Sequence, residues 1–341
     1  YKPVIMINLI ATLIGGGLPA TVSKVFVYVA ATSLFGGVAI GLGDPAVAPV
    51  SGAGQMMEQV VKPDVLDPSE LKVKRKIDPT RQKFQQILDL AKAKNWQSQP
   101  FPQIIQLVAE QLVGAPYQAG LLDKSPTEIL LVYLDKFDCV LLVENALALA
   151  QTIALEDDSF DNFRLRVQQL RYRGGDLDGY CSRLHYFTEW INDNEKRQGV
   201  NNISNKFSTQ FAPQRLPHKL NFMSNHRSSY PQLKDDANFA CIKAVEANLA
   251  QKPIYYIPTA QIPQAVREIQ AGDIIAITTS VKGLDATHTG LAYRNSDGTI
   301  GLLHASPDGK VTISRNLHKY VQGVPESIGI VVARPIDPRR N

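Results

Sequence analysis

Asp135-Lys-Phe-Asp138-Cys139-Val-Leu-Leu-Val-Glu144-Asn-Ala-Leu-Ala-Leu-Ala150 sets one cysteine at the mouth of a helix that is apolar almost all the way round. Only Glu144 and Asn145 interrupt the run from Val140 to Ala150, and a helix without a polar face belongs inside a domain. Asp138 has the type and position of an N-cap, which puts Cys139 in the first helical turn. There the unpaired backbone N–H groups and the positive end of the helix dipole favour a thiolate over a thiol. The same N–H groups can receive the oxyanion of an acyl-transfer intermediate. A buried structural cysteine is the competing reading of this stretch alone, and what decides between them lies about 150 residues downstream.

The chain has 341 residues, 44% of them hydrophobic, enough for one large domain or two small ones. A net charge of +4 is mild, and no basic face with interleaved aromatics suggests nucleic acid as a partner. The run Lys72-Val-Lys74-Arg75-Lys76 reads as a solvated linker. Three cysteines, Cys139, Cys181 and Cys241, are too few for a disulfide framework, and no two stand at metal-ligand spacing. No metal or cofactor is expected. The odd count leaves at least one free thiol, assigned to Cys139, and Cys241 reads as a core or helix-face residue.

The first 43 residues carry no acidic side chain. Val4–Ile14 is an apolar run, and Val25–Leu42 is 18 uncharged, mostly apolar residues directly after Lys24. A basic flank, an apolar core and Ala46-Val-Ala48 outline a secretory signal peptide, although Pro49 follows that cleavage point awkwardly. The alternatives are an uncleaved anchor at the minimum spanning length, with membrane contact through this segment, and a buried core helix. Residues 1–43 are therefore expected to direct export to the periplasm or cell envelope. Residues 44–79 read as a linker, and 80–336 as the functional domain.

Within that domain, helical patterns open at Asp78-Pro79-Thr80 and at Pro102, and Gly114-Ala115-Pro116-Tyr117-Gln-Ala-Gly120 forces a turn. Thr127–Tyr133 is a short strand or helix. After Glu156 come helices over Phe160–Tyr172 and Ser182–Asn194. The segment from Gly199 to about Asp236 is polar and unperiodic, the pattern of a lid or binding loop. Ala237–Leu249 is again helical. The last third reads as an antiparallel meander of about five strands: Ile274–Ile277, Thr287–Tyr293, Ile300–His304, Lys310–Ile313 and Ile328–Ala333. The class is α+β.

Two histidines fall on adjacent strands of that meander. His288 and His304 are 16 residues apart with the turn Asn295-Ser-Asp-Gly298 between them, close to the condition that places them opposite each other. A cysteine nucleophile needs an imidazole base, and that imidazole needs a partner on its far nitrogen to hold its tautomer. Cys139, His288 and His304 can supply all three parts. His185, His218, His226 and His318 lack such a setting and read as structural.

Gly114-x-Pro116-Tyr117-x-x-Gly120, Asp138-Cys139 leading a buried helix, Gly272-Asp273-Ile274, His288-x-Gly290 and His304-Ala305 resemble, in that order, the landmarks of NlpC-type, papain-like cell-wall cysteine peptidases. Arg183-Leu-His-Tyr-Phe-Thr-Glu-Trp-Ile-Asn-Asp-Asn194, Asn221-Phe-Met-Ser224 and His288-Thr-Gly-Leu-Ala resemble more closely a bacterial branch of that group, the N-acetylmuramoyl-L-alanine amidase-like one. The likeness runs from about Arg81 to Arg334. It implies Cys139 as nucleophile, His288 as general base and His304 as the residue orienting it. It further implies Tyr117 beside the Cys139 N–H in an oxyanion hole, and Asp138 as a recogniser of a substrate amine. The substrate it implies is peptidoglycan or a muropeptide, cut at an amide bond through a thioacyl-enzyme. The gap of 149 residues between Cys139 and His288 departs from compact relatives. The insertion, roughly Glu156 to Lys252, must cover or flank the cleft. On the same fold, an acyltransferase, a lipid amidase and a non-catalytic envelope-binding module are the rival expectations.

Overall fold

The computed structural model describes residues 78–204, 213–217 and 219–340. The leader, most of the linker and His218 lie outside the described residues. Among the described residues no helix is long and apolar enough to cross a membrane.

Asp78 opens the first helix, Pro79–Ala93, by accepting a hydrogen bond from the Thr80 N–H, while Pro79 takes a position whose N–H would be unpaired anyway. This helix and the next, Phe101–Glu110, turn Phe84, Ile87, Ile104 and Val108 onto the Cys139 helix, Cys139–Ala154. Phe160–Arg171 packs on the same helix. The Cys139 helix is buried almost throughout, so its apolar circumference has a partner on every side. Glu144, its one charged residue, meets Arg171 Nε at 2.7 Å. Asn145 satisfies its amide on the Leu141 carbonyl one turn back.

Thr127–Tyr133 is neither strand nor helix. Side chains take its carbonyls in place of a ladder: Arg171 Nη1 donates to Leu131 O and the Tyr172 hydroxyl to Ile129 O.

The sheet is antiparallel and has eight strands among the described residues, not about five. They are β1 (Val200–Asn202), β2 (Gln214–Arg215), β3 (Tyr255–Pro258), β4 (Ile274–Thr279), β5 (Ala286–Arg294), β6 (Ile300–Ala305), β7 (Val311–Ser314) and β8 (Ser327–Pro335). Their order is β2-β3-β8-β4-β5-β6-β7, with β1 pairing β8 through Val200↔Pro335. The expected meander is β4 to β8, in which β8 returns to pair with β4. The three extra strands are two to four residues long and lack the alternation that marks a strand in sequence. Two of them, β1 and β2, come from the insertion, and β3 follows directly after it. The α+β class stands.

The insertion builds a hydrophobic cluster of its own. Tyr186, Leu220, Phe222, Tyr230, Leu233 and Ile242 are buried together there. The described part of Gly199–Asp236 supplies several of these side chains and is therefore packed structure, where a loop was expected. Cys241 is not a solitary core residue. From the helix Asp236–Leu249 it is disulfide-bonded to Cys181 in the short helix Gly179–Ser182, across a separation of 60 residues. Closing a loop of that length restricts the unfolded chain. Replacing both cysteines by serine is expected to cost about 2–4 kcal/mol in a chemical-denaturation experiment. A loss under about 0.5 kcal/mol would contradict this.

Candidate functional site

The geometry of the site begins with the cap. Asp138 accepts the Leu141 N–H at 2.8 Å, which fixes the first turn and leaves Cys139 facing β5. Cys139 is the free cysteine of the described residues and is 4% exposed. With His288 it lines a cavity of about 110 Å³, whose walls include Asp138, Val140, Ala286, Thr287 and Thr289. The lining also includes Arg183, Leu184, His185 and Phe187, so the insertion flanks the cleft through these residues, and none of the described residues of Gly199–Asp236 lines it. His185, set aside in the sequence, therefore faces the cleft, with Nε2 at 2.9 Å from the Tyr180 carbonyl oxygen.

Strands β5 and β6 pair Leu291 with Leu303. In that register His288 and His304 share a face but sit on a diagonal, not directly opposite. Their rings still meet, perpendicular, with His288 Nε2 at 2.9 Å from His304 Nδ1. Gly290 permits the approach, because a Cβ there would lie 2.7 Å from Leu303 O and 2.9 Å from His304 Cβ. Beyond the pair, His304 Nε2 lies 3.1 Å from Ser314 Oγ, and the Tyr320 hydroxyl lies 3.3 Å from His304 Nδ1. The Tyr320 ring covers His304 at 4.4 Å between centroids. Neither Ser314 nor Tyr320 stood out in the sequence. Strand register and a helix after β7 bring them to the site, and no local motif signals either.

Tyr117 stands apart from the cavity wall but close to its chemistry. Its loop is strapped down by Tyr117 N–H on Gly309 O and Gln118 N–H on Phe137 O, the residue just before Asp138. Its hydroxyl is buried without a hydrogen-bond partner among the described residues. Burial, then the charges of Cys139 and Asp138, push its phenol up, so it remains a donor.

Electrostatics overturn one expectation. Burial, reinforced by Asp138, pushes the Cys139 thiol up to about 12, against the pull of the Thr289, Cys139 and Val140 N–H groups. The helix terminus alone favours a thiolate, but in a closed cleft the loss of hydration is larger. Burial, then His304, lowers His288 to about 3, and burial lowers His304 to about 4. Burial raises Asp138 to about 6, opposed first by its bond to Leu141. At neutral pH the resting site is therefore a thiol facing a neutral imidazole, above an ionised cap. Iodoacetamide is expected to label Cys139 at pH 7 at least ~100-fold more slowly than free cysteine, with the rate still climbing above pH 9. Labelling as fast as free cysteine at pH 7 would mean a resting thiolate.

The family described as AmiA-like, N-acetylmuramoyl-L-alanine amidase-like, matches residues 107–330. A crystal structure of an N-acetylmuramoyl-L-alanine amidase from Bacteroides uniformis ATCC 8492 is similar at TM-score 0.64 and 34% identity, over 69% of this chain and 98% of that one. A Bacteroides fragilis protein solved as a proposed xylanase is similar at TM-score 0.60 and 35% identity, over 67% of this chain and 99% of that one. A Legionella pneumophila protein assigned to the family model DUF1460 shares the fold at TM-score 0.57 and 20% identity, over 75% and 95% of the two chains. No curated protein matches.

Proposed function

The chain belongs to the AmiA-like, N-acetylmuramoyl-L-alanine amidase-like family, and from that premise we propose a papain-like, NlpC-type cysteine amidase that cuts peptidoglycan fragments between N-acetylmuramic acid and L-alanine. One observation carries the reading. Cys139, in the first turn of a buried helix, shares a cleft with His288, whose far nitrogen is held by His304.

In this mechanism Cys139 Sγ attacks the lactyl carbonyl of the muramic acid as its proton passes to His288 Nδ1. Thiolate and imidazolium arise together, each the counter-ion of the other, which overcomes the burial that keeps both neutral at rest. The oxyanion is received by the Cys139 N–H and the Tyr117 hydroxyl, a buried donor with no other partner among the described residues. Collapse expels the amine of L-alanine with the proton from His288. Water, deprotonated by His288, then attacks the thioester, restores Cys139 and releases the muramic acid carboxylate. Asp138, ionised above about 6, caps the helix and lines the cleft, where its charge attracts the departing amine.

A glycosidase would need two carboxyl groups free to flank a glycosidic bond. Of the carboxylates lining the cleft, Asp123 is paired with Arg183 and Asp285 is bonded to Thr188, which leaves Asp138 without a second carboxylate to form such a pair. This favours the amide substrate. The Cys181–Cys241 disulfide supports an exported, envelope location, since such bonds persist in oxidising compartments.

The reading is tested by digesting muropeptides with the purified protein and resolving the products by mass spectrometry. N-acetylmuramic acid species and free peptides beginning with L-alanine are expected. Cuts confined to the interior of the stem would replace the amidase by an endopeptidase. No products from any muropeptide would sink both.

A further inference from the structure

We infer that the Thr287 hydroxyl is a substrate-binding group of the cleft, bonding a neutral amide of the substrate beside the scissile bond. Thr287 lines the cleft with Cys139 and His288 and is 5% exposed, yet its Oγ1 has no hydrogen-bond partner among the described residues. A buried hydroxyl left unpaired forfeits its bonds to water and gains nothing in return, so folded chains rarely keep one without a use. Thr289, two residues on along β5, lines the same cleft at 2% exposure, and its Oγ1 donates to Ile275 O at 2.9 Å. The two threonines share strand, cleft and side-chain chemistry. Of the two, Thr287 alone has a hydroxyl left over for a ligand.

Strand pairing explains the difference. β4 sets Ile277 opposite His288 and then Thr278 opposite Ala286, so Thr287 is the extra residue of a bulge and has no residue opposite it. A bulge breaks the ladder locally and re-aims the side chain it carries. Thr278 Oγ1, across that bulge, is also buried without a partner among the described residues, but Thr278 does not line the cleft. What sets Thr287 apart is its place in the cleft wall, directly before His288 in β5. The cleft also limits what Thr287 can take. A hydroxyl offers one donor, two acceptor sites and no charge. A substrate carboxylate in this wall would meet Asp123, Asp138 and Asp285, and an ammonium would be drawn to those carboxylates ahead of a neutral hydroxyl. The group left for Thr287 is a neutral N–H or C=O. N-acetylmuramoyl-L-alanine peptides carry such groups on both sides of the bond to be cut.

The inference rests on the amidase reading, and the two can be told apart when they fail. Thr287→Val keeps the shape of the side chain and removes the hydroxyl. Its KM for N-acetylmuramoyl-L-alanine peptides is expected to rise roughly 5- to 150-fold, the range implied by a substrate amide left unpaired in a buried site, with kcat within about threefold. Thr287→Ser, which keeps the hydroxyl, should hold KM near the native value. No bond within the fold is lost in Thr287→Val, so its Tm should equal or exceed that of the native protein. Thr289→Val, which does lose such a bond, calibrates the measurement and should fall by roughly 2 °C or more. Thr278→Val, the control for the bulge, should leave KM and kcat native. A native KM in Thr287→Val overturns the inference. A fall in its kcat with KM unchanged also does, because it would place the effect on the alignment of His288. A lower Tm, or failure to fold, would mean that the hydroxyl has a structural partner and would overturn it as well. A matching rise in KM in Thr278→Val would assign the effect to the bulge, with the same consequence. Absence of cleavage by the native protein overturns the amidase reading and this substrate contact with it, whereas every other outcome leaves that reading standing.

Discussion

Replacing His288 by alanine is expected to lower kcat for release of L-alanine from N-acetylmuramoyl-L-alanine by ~10³-fold or more at pH 7, with KM little changed. The size follows from the state of the sulfur. A thiol pushed up to about 12 by burial is almost wholly protonated at neutral pH, so hydroxide in solution supplies very little nucleophile. In the proposed mechanism the neighbouring imidazole makes attack and deprotonation one event. The pH dependence separates this account from a loss of folding. Without the base, the remaining rate should follow the thiolate fraction and rise about tenfold per pH unit between 7 and 9. The native enzyme, with His288 neutral from about pH 3 upward, should vary far less over that range. A His288→Ala variant within tenfold of native at pH 7 would remove His288 from the mechanism.

Replacing Arg171 by methionine is expected to cost about 3–5 kcal/mol of stability, roughly 10 °C in Tm for a domain of this size. Glu144 lies in the middle of the Cys139 helix with its carboxylate 2.7 Å from Arg171 Nε, and both side chains are at most 2% exposed. Burial raises the Glu144 carboxyl, and the Arg171 guanidinium opposes that rise. Removing the arginine takes from a buried acid its bonded counter-ion, so it takes up a proton at higher pH than before. The unfolded chain ionises at the ordinary glutamate value, so the folded state is penalised increasingly as pH rises above about 4.5. The variant's Tm should therefore recover as pH is lowered from 7 to 5. Arg171 also holds Leu131 O, so the Thr127–Tyr133 segment should lose protection in hydrogen exchange. The double replacement Glu144→Leu with Arg171→Met removes both charges and should recover most of the loss. A single variant as stable as the native protein would show the pair to be dispensable.

What could be read in the chain was local. Asp138 before an unbroken apolar run announces a cap and a buried helix, and both depend only on neighbours within a turn. The strands β4 to β8 carry apolar runs bounded by Gly, Asn and Asp turns. The turn at Asn295–Gly298 brings His288 and His304 onto neighbouring strands, although the diagonal register needed the pairing itself. What escaped was long-range or a matter of balance. The strands β1, β2 and β3 are held by the edges of neighbouring strands more than by their own pattern. Cys181 and Cys241 look unrelated until the insertion folds around its own cluster. Glu144 looked like an interruption, and it is explained only by Arg171 on another helix. The protonation of Cys139 depends on a contest between helix N–H groups and burial, and the depth of the cleft is not written near the cysteine.

The central claim is that Cys139 forms a thioester with the acyl part of an amide substrate. The most direct measurement is to mix the protein with excess N-acetylmuramoyl-L-alanine peptide, quench in acid within milliseconds to seconds, and read the intact and peptide-mapped mass. The account predicts an adduct equal to the N-acetylmuramoyl group on the peptide containing Cys139, absent from Cys139→Ala, which should also release no L-alanine. Turnover that persists in Cys139→Ala would contradict it.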